Sequence, residues 1–530
     1  MRYLTLTIFL FSLSISNGED LHGDELPIGL TEAEKNNIHI IYEMGRDTDP
    51  PQSPVRNVAE YERMSGVIIR YPFGISLEII RELSEDVIIY CLVSSSQESS
   101  ALSSMNSGNV NTNNVQFITG PTDSYWTRDY GPWWVVDGNN DMSIVDFTYN
   151  RPRPNDNDAP LKTSQYLDVP YFSVDIVHAG GNYMTDGYGI ASSTDLVYEE
   201  NNWSDDALDN LMNQYYGINT YHVISDPNNT YIDHIDCWGK YLSPTKVLIR
   251  EVPSNHPQYD EIESVVNYFS ESQNNWDKPW EVFRVWTPND QPYTNSIIVN
   301  NKVLVPIMNS SWDTAALGAY EVALPGYEVI GFTGTWESTD ALHCRVKGIP
   351  DLEMLQLFHK PLRDTIAPIE LQGYELELNV DDLSESGIIE ESVKVFWKNE
   401  FMSDYDSTHL YLSENIDDID KYIGYIPEQV IESSLNYFVQ ASDSSGRVES
   451  SPLAGYHSFY ALPTDVCNSW STGDIDNSGA LDIIDVLILA ELIVYNNSSG
   501  ICCESVADIN MDGTLSLIDI VTLVSLVASQ

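Results

Sequence analysis

From about residue 65 to residue 361 the chain alternates short apolar runs with polar or amphipathic stretches. Gly66-Val67-Ile68-Ile69-Arg70, Val87-Ile88-Ile89-Tyr90-Cys91-Leu92 and Val303-Leu304-Val305-Pro306 are such runs. Each is too short for a helix and rich in β-branched residues, and buried strands interleaved with helices predict an α/β domain. After Ile369 the rhythm becomes alternating, as in Glu375-Leu376-Glu377-Leu378-Asn379-Val380, Val393-Lys394-Val395-Phe396-Trp397 and Leu435-Asn436-Tyr437-Phe438-Val439-Gln440-Ala441, with Asp/Ser/Gly turns between. That pattern predicts a β-sandwich over 370–462. Near the end of the chain, apolar helices expected at 486–494 and 520–527 each follow an acidic loop. At the start, Met1-Arg2-Tyr3, an apolar run from Leu4 to Ile15 and Ser16-Asn17-Gly18 have the layout of a secretory signal peptide over 1–18. The run is too short for a permanent membrane anchor. Residues 19–60, polar and proline-containing, read as a lead-in. The α/β domain is then expected over 61–362 and a small helical module over 464–530.

Length and charge narrow the picture. A chain of 530 residues exceeds one hydrophobic core and suggests three or four domains. Its 80 acidic and 25 basic side chains give a net charge of −55. Such a surface repels DNA, RNA and anionic lipid, so no nucleic-acid partner is expected. It suits solubility in salty water or a cationic substrate. No second apolar stretch reaches spanning length, so the expectation is a secreted, extracellular protein without a transmembrane segment. Six cysteines are too few for a disulfide framework in a chain of this length. Cys91 and Cys237 read as core residues, and Cys467 has a plausible disulfide partner in Cys502 or Cys503. Cys344 is left as the thiol that matters.

The acidic loops have cation-binding spacing. The first runs from Asp474 to Asp485 and the second from Asp508 to Asp519, and residues 464–530 contain no Lys or Arg. Oxygen-bearing side chains fall at positions 1, 3, 5, 9 and 12: Asp474, Asp476, Ser478, Asp482 and Asp485, then Asp508, Asn510, Asp512, Ser516 and Asp519. Glycine stands at position 6, where the loop turns sharply. A hard cation needs six to eight oxygens, and each loop gathers them around one centre, so two Ca2+ sites are expected. The duplicated loop–helix with Asp at position 12 resembles a type I dockerin. That resemblance implies a cohesin-type partner, although Ile483-Ile484 and Leu517-Ile518 stand where Ser/Thr is common. A calcium-stapled module without a partner is the alternative. The Tyr437-Phe438-Val439-Gln440-Ala441 stretch likewise resembles a late strand of immunoglobulin-like or fibronectin-like domains.

The candidate chemistry lies upstream. Tyr125-Trp126-Thr127-Arg128-Asp129-Tyr130-Gly131, Asn150-Arg151-Pro152-Arg153-Pro154, His178-Ala179-Gly180-Gly181-Asn182, Asp233-His234-Ile235-Asp236-Cys237-Trp238 and Leu342-His343-Cys344-Arg345 occur in that order. Opening a guanidinium needs a nucleophile, anions to hold the planar cation, and a group that gives and takes protons near neutrality. Cysteine, paired carboxylates and histidine are the suitable side chains. The segments resemble those of bacterial peptidylarginine deiminases and agmatine deiminases. The resemblance implies a five-bladed pseudo-symmetric α/β propeller, the guanidino-group-modifying fold, with the site on its axis. It implies Cys344 as nucleophile, His234 as general acid/base, Asp129 and Asp236 as guanidinium ligands, Trp126 against its flat face, and Asn295 in Tyr293-Thr294-Asn295-Ser296 positioning the reacting group. No catalytic cofactor follows from it. Asp236 and His234, two apart on what reads as a strand, would face one side.

Arg151 and Arg153 resemble the pair that binds the α-carboxylate of a C-terminal arginine in the Porphyromonas-type enzyme, and Tyr231 and Ile232 match its substrate contacts. Two guanidinium forks suit a ligand with a carboxylate, which agmatine lacks. The expectation is therefore deimination of C-terminal peptidyl-arginine to citrulline and ammonia through a Cys344 thiouronium. Agmatine or free arginine is the alternative substrate. A cysteine peptidase built on Cys344, His234 and Asn295 would not need the two carboxylates, and a non-catalytic binding protein would not need Cys344 and His234. Taken singly, each residue has a bland role: a surface ion pair for Asp129, a structural histidine, a core thiol, surface cations.

Overall fold

The computed structural model describes residues 26–201, 205–369, 372–416, 419–463, 471–495 and 504–529. The expected leader over 1–18 and Cys467, Cys502 and Cys503 lie outside these residues.

Apolar runs over 64–350 form five small sheets with one recurring plan: an antiparallel hairpin, then a helix, then a strand parallel to the second hairpin strand. Trp133–Val136 pairs with Met142–Tyr149, and two helices lead to the parallel strand Tyr171–His178. Met184–Thr185 and Ile190–Thr194 are followed by Thr220–Ile224. Gly239–Ser243 and Lys246–Glu251 lead through the helix Tyr259–Glu271 to Glu281–Trp286. Ile297–Val299 and Lys302–Ile307 lead through Asp313–Ala323 to Glu328–Thr333. The fifth sheet is built from both ends of the region. Its hairpin partner Lys347–Pro350 joins Met64–Arg70, which runs parallel to Ile88–Val93, itself parallel to Val115–Thr119. The helices bury one apolar face on these sheets. In Leu77–Asp86, for example, Ser76 caps the N-terminus while Ile79, Ile80 and Leu83 face the core.

The described part of the lead-in, from residue 26, packs on this domain. Arg56–Asn57 pairs with Trp133–Val136, and Arg46 forms an ion pair with Asp146 at 3.6 Å. Glu60 reaches the domain centre. Most of its polar residues are solvated, and composition cannot single out a partnered acid such as Glu60 from those of a linker.

The second unit begins earlier than residue 370. Leu355–His359 belongs to a sheet with Tyr374–Asp382, Ile419–Ile426 and Tyr411–Ile416, so the strand placed at the end of the α/β domain is a sandwich strand. The facing sheet contains Thr365–Ile366, His457–Ala461, Ser433–Ser442, Lys394–Asn399 and Asp406–His409, with Val448–Ser451 alongside. Leu376, Leu378 and Val380 meet Val395, Leu435, Tyr437 and Val439 between the sheets. Arg63 grips Glu449 through two bonds of 2.8 Å, and Arg447 reaches Asp351 at 2.8 Å, fastening this unit to the first. In the tail, the helices Ile483–Tyr495 and Leu517–Val527 share a core of Ile475, Val486, Leu489, Ile509 and Leu523. No described helix is long and apolar enough to cross a membrane.

Candidate active site

Four of the five hairpins are entered from a short helical turn, the hairpin at Ile297 from a turn closed by Asn295 N–H bonding to Pro292 O at 3.0 Å. These turns converge. Thr127–Tyr130 carries Asp129, Gly180–Asn182 packs against it, Ile235–Cys237 carries Asp236 with His234 just before, and His343–Arg345 carries Cys344. His343 N–H donates to Asn295 O at 3.0 Å, joining the last two turns. The pair His234 and Asp236 is thus set by a helical turn and not by strand alternation; the two meet because the turn after His234 bends the chain around the site.

The polar atoms are close and buried. Asn295 Nδ2 donates to Cys344 Sγ at 3.3 Å, and Cys344 N–H donates to Asn295 Oδ1 at 3.3 Å. Cys344 Sγ lies 3.7 Å from Asp236 Oδ2, which is also bonded to His343 Nδ1 at 2.7 Å. Asp129 Oδ1 accepts from Gly181 N–H at 3.1 Å and lies 3.7 Å from His234 Nδ1. Neither ring nitrogen of His234 has a hydrogen-bond partner among the described residues. Gly181 permits this approach: a Cβ there would lie 2.6 Å from Asp129 Oδ1 and 2.7 Å from His234 Nδ1. Asn182 fixes the neighbouring loop, its Oδ1 accepting from Thr194 N–H at 2.9 Å and Ile235 N–H at 3.3 Å.

Burial shapes the electrostatics. Burial and the adjacent Asp236 push the Asp129 carboxyl well above the usual carboxylate range. Burial also acts upward on Asp236, but the His343 hydrogen bond and the nearby basic groups outweigh it, so Asp236 lies below its ordinary value. Burial lowers His234 to about 3, against the opposing pull of Asp236. Burial, with the negative charges of Asp236, Asp340 and Asp129, pushes the Cys344 thiol well up. Without a ligand the site therefore holds a neutral thiol, a neutral imidazole and an excess of acidic oxygens, a poor resting state for an anion and a good one for a planar cation.

Glu60 and His343 form a support that sequence reasoning missed. Glu60 accepts from Lys240 Nζ at 2.7 Å, forms an ion pair with Arg128 at 2.8 Å and bonds His343 Nε2 at 2.6 Å. His343 passes that restraint to Asp236. Adjacency to Cys344 was a signal for His343, whereas Glu60, one acid in a polar stretch, gave none.

The remaining expected residues lie at the rim. Trp126 and Ile232 are buried with Cys344, Tyr125 and Ile28 in one cluster. Arg153 lies over the Trp126 ring, 5.4 Å from its centroid. Arg153 Nε donates to Glu34 Oε1 at 2.7 Å, and its Nη2 to Pro27 O at 2.7 Å and Gly29 O at 3.1 Å. Arg151 Nε donates to Ile28 O at 3.1 Å. Both arginines are thus occupied by the chain's own residues. Tyr231 is 70% exposed, its ring over Gly29.

In the tail the two loops repeat one hydrogen-bond pattern. Asp474 accepts from Ser478 and Gly479 N–H, both at 2.9 Å, and Asp508 from Asp512 and Gly513 N–H at 3.1 and 2.8 Å. Asp485 and Asp519 are fully buried. Carboxylate oxygens of Asp474, Asp476 and Asp485 lie within 4.8 Å of one another. Ser478 and Asp482, and in the second loop Asn510 and Ser516, line the same two loops.

The fold and this group of side chains define a hydrolase that acts on C–N bonds of amidines, a deiminase of guanidino groups. The chain belongs to the Porphyromonas-type peptidyl-arginine deiminase family, whose model matches residues 73–350. It is similar to a Legionella pneumophila protein named as a putative agmatine deiminase, 23% identical over 259 residues, covering 44% of this chain and 74% of the relative. An agmatine deiminase of Pseudomonas aeruginosa is 22% identical over 268 residues, covering 42% and 72%. Among solved structures, agmatine deiminase of Enterococcus faecalis superposes with a TM-score of 0.51 at 17% identity, covering 58% of this chain and 99% of that one, which bears on the fold.

Proposed function

We propose that the enzyme hydrolyses the guanidinium of C-terminal peptidyl-arginine, and that the five hairpin–helix–strand modules are the blades of a five-bladed pseudo-symmetric propeller with this site on its axis. The observation that carries the substrate reading is the grip of Arg153 on Glu34: a buried guanidinium fork holding a carboxylate, with Arg151 beside it, at the rim of a site whose interior suits a cation. A substrate with its guanidinium between Asp129 and Asp236 and its α-carboxylate on these arginines satisfies both ends.

In the reaction, a bound guanidinium neutralises the two carboxylates that hold the Cys344 thiol up, so the proton leaves Sγ more readily. The thiolate attacks the guanidinium carbon and forms a C–S bond, held in place by Asn295. His234, having taken the proton from Sγ, delivers it to the departing nitrogen, the C–N bond breaks and ammonia leaves. His234 then takes a proton from water, whose oxygen attacks the thiouronium carbon. The C–S bond breaks, giving the ureido product and the free thiol. Trp126 flanks the cation; Tyr231 and Ile232 border the peptide. No step calls for a cofactor.

Agmatine is the second reading, favoured by the names of the relatives. The test uses three substrates: a peptide ending in Arg, the same peptide amidated, and agmatine. The expected result is at least about a 10-fold preference for the acid, since a bidentate Arg–carboxylate contact is worth a few kcal/mol. Equal rates on acid and amide, or a preference for agmatine, overturn the reading.

For the rest of the chain we propose secretion through the leader over 1–18, an immunoglobulin-like sandwich over 370–462 extended by Leu355–His359, and a dockerin over 464–530. The ten loop residues Asp474, Asp476, Ser478, Asp482, Asp485, Asp508, Asn510, Asp512, Ser516 and Asp519 would hold two Ca2+ ions, whose chemistry there is structural. Ile483, Leu487, Leu517 and Val521 are each more than 60% exposed, an apolar face that suits a cohesin-type partner. The acidic surface makes nucleic acid an unsuitable one.

A further inference from the structure

We propose that residues Leu26–Lys35 are an intramolecular ligand of the substrate cleft, a peptide segment seated in a peptide-binding subsite and competing with substrate for it. This rests on the reading that Arg151 and Arg153 receive substrate.

The contacts are those of a bound peptide. Three successive backbone carbonyls, of Pro27, Ile28 and Gly29, accept from the two arginines. Backbone carbonyls offer no sequence information, so any extended peptide can supply the same three acceptors. Ile28 is 4% exposed and shares one buried apolar cluster with Tyr125, Trp126, Ile232 and Cys344, whose thiol is itself fully buried. Gly29 fits beneath the Tyr231 ring, where a Cβ would approach to 2.8 Å. Glu34 places its carboxylate on Arg153 and is held there by a capping box, its Oε2 accepting from Thr31 N–H at 2.7 Å. The anion that occupies the arginine is therefore positioned in advance. Meanwhile Arg153 Nη1 is buried without a hydrogen-bond partner among the described residues, a donor this segment leaves unused.

Nothing in the segment anchors it by strand pairing among the described residues; the chain first joins a sheet at Arg56–Asn57. It can leave without unzipping a sheet. Beside it a cavity of about 660 Å³ lies between Ile38, Arg151, Glu199, Glu200 and Tyr231, room into which a substrate peptide can extend. The subsite thus takes an extended peptide whose backbone carbonyls meet the two arginines and whose carboxylate meets Arg153. Tethering gives the segment a high effective concentration, so substrate binds only to the fraction of molecules from which it has lifted.

The test compares the full chain with a Leu26→Ser, Ile28→Ser, Glu34→Gln variant. Two readouts are used: KM for an Arg-terminated peptide, and the rate at which iodoacetamide labels Cys344, followed by mass spectrometry of that peptide. The variant is expected to show at least about a 10-fold lower KM with kcat nearly unchanged, and at least about 10-fold faster Cys344 labelling, corresponding to about 1.4 kcal/mol. A synthetic peptide with the sequence of Leu26–Lys35 should reverse both changes. Unchanged labelling and KM in a variant that melts with the parent overturn the proposal. Should the triple variant melt early, Glu34→Gln alone is expected to move labelling in the same direction, and no change there overturns it as well. Labelling needs no turnover. A chain inactive on every guanidinium substrate would refute the deiminase substrate while the labelling rates still decide the role of the segment.

Discussion

Replacing Glu60 by Gln removes the carboxylate that three buried basic groups share. Its oxygens lie 2.7 Å from Lys240 Nζ, 2.8 Å from Arg128 Nη2 and 2.6 Å from His343 Nε2. The Arg128 and Lys240 side chains are only 3% and 6% exposed, and Glu60 is 17% exposed, so water cannot replace it well. Removing one partner of a buried ion pair costs about 3–5 kcal/mol, and two cations lose theirs here, so the upper half of that range is expected at pH 7. Charge on the lysine gives a second handle. Burial already lowers Lys240, and Glu60 is the main group that pulls it back up. Without Glu60 the folded-state pKa of Lys240 falls further. A lysine with a depressed folded pKa binds fewer protons when folded than when unfolded, so stability rises with pH up to the unfolded value of about 10.4. The deficit of Glu60→Gln relative to the parent should therefore be largest near neutrality and shrink by about pH 9.5. Urea unfolding of the full chain, followed by tryptophan fluorescence at both pH values, measures this. A loss below about 1 kcal/mol at pH 7, or a deficit that does not shrink with pH, would refute the view that Glu60 neutralises a buried basic cluster.

Cys344→Ala should abolish turnover with the melting temperature nearly unchanged; more than trace activity removes the thiol from the chemistry. Asp129→Asn and Asp236→Asn should each lose about 2–5 kcal/mol of transition-state binding, read as kcat/KM, and parent-like values in both variants would free them of substrate contact. Because burial holds His234 near 3 and raises the Cys344 thiol well above its ordinary value, alkylation of Cys344 in substrate-free enzyme should stay slow to about pH 9, with no inflection near 6.5. A thiolate-like rate at pH 7 would contradict that state. Chelation with EGTA should lower the helix content contributed by Ile483–Tyr495 and Leu517–Val527 and leave deimination of a small substrate intact; loss of activity would place a calcium site in the catalytic unit.

Much of the site was legible because its residues sit in short sequence motifs: Cys344, His234, Asp236, Asp129 and Asn295 do converge. What joins them was not legible. Glu60 lies 283 residues before His343, which it holds, and a single acid carries no periodicity from which such a contact could be read. The turn at Ile235–Cys237 looked like a strand because His234 and Asp236 alternate with apolar neighbours, and hydrophobic alternation over four residues does not separate the two. The boundary near residue 362 failed for a related reason. Leu355–His359 is as apolar as the strands before it, and only its partner strand Tyr374–Asp382 reveals to which sheet it belongs. Leu26–Lys35 read as polar lead-in since its few apolar residues follow no helical or strand period.

The fifth sheet joins Met64–Arg70, near the beginning of the domain, to Lys347–Pro350 at its end. Cys344 lies three residues before that closing strand. During synthesis, therefore, the four preceding modules emerge before the thiol exists, and the carboxylate Asp236 waits for a histidine, His343, that arrives with the cysteine. Contacts of such long sequence separation form late and slowly. A nascent or truncated chain ending before residue 343 lacks the nucleophile and its clasp together, so a half-made molecule carries no partial activity.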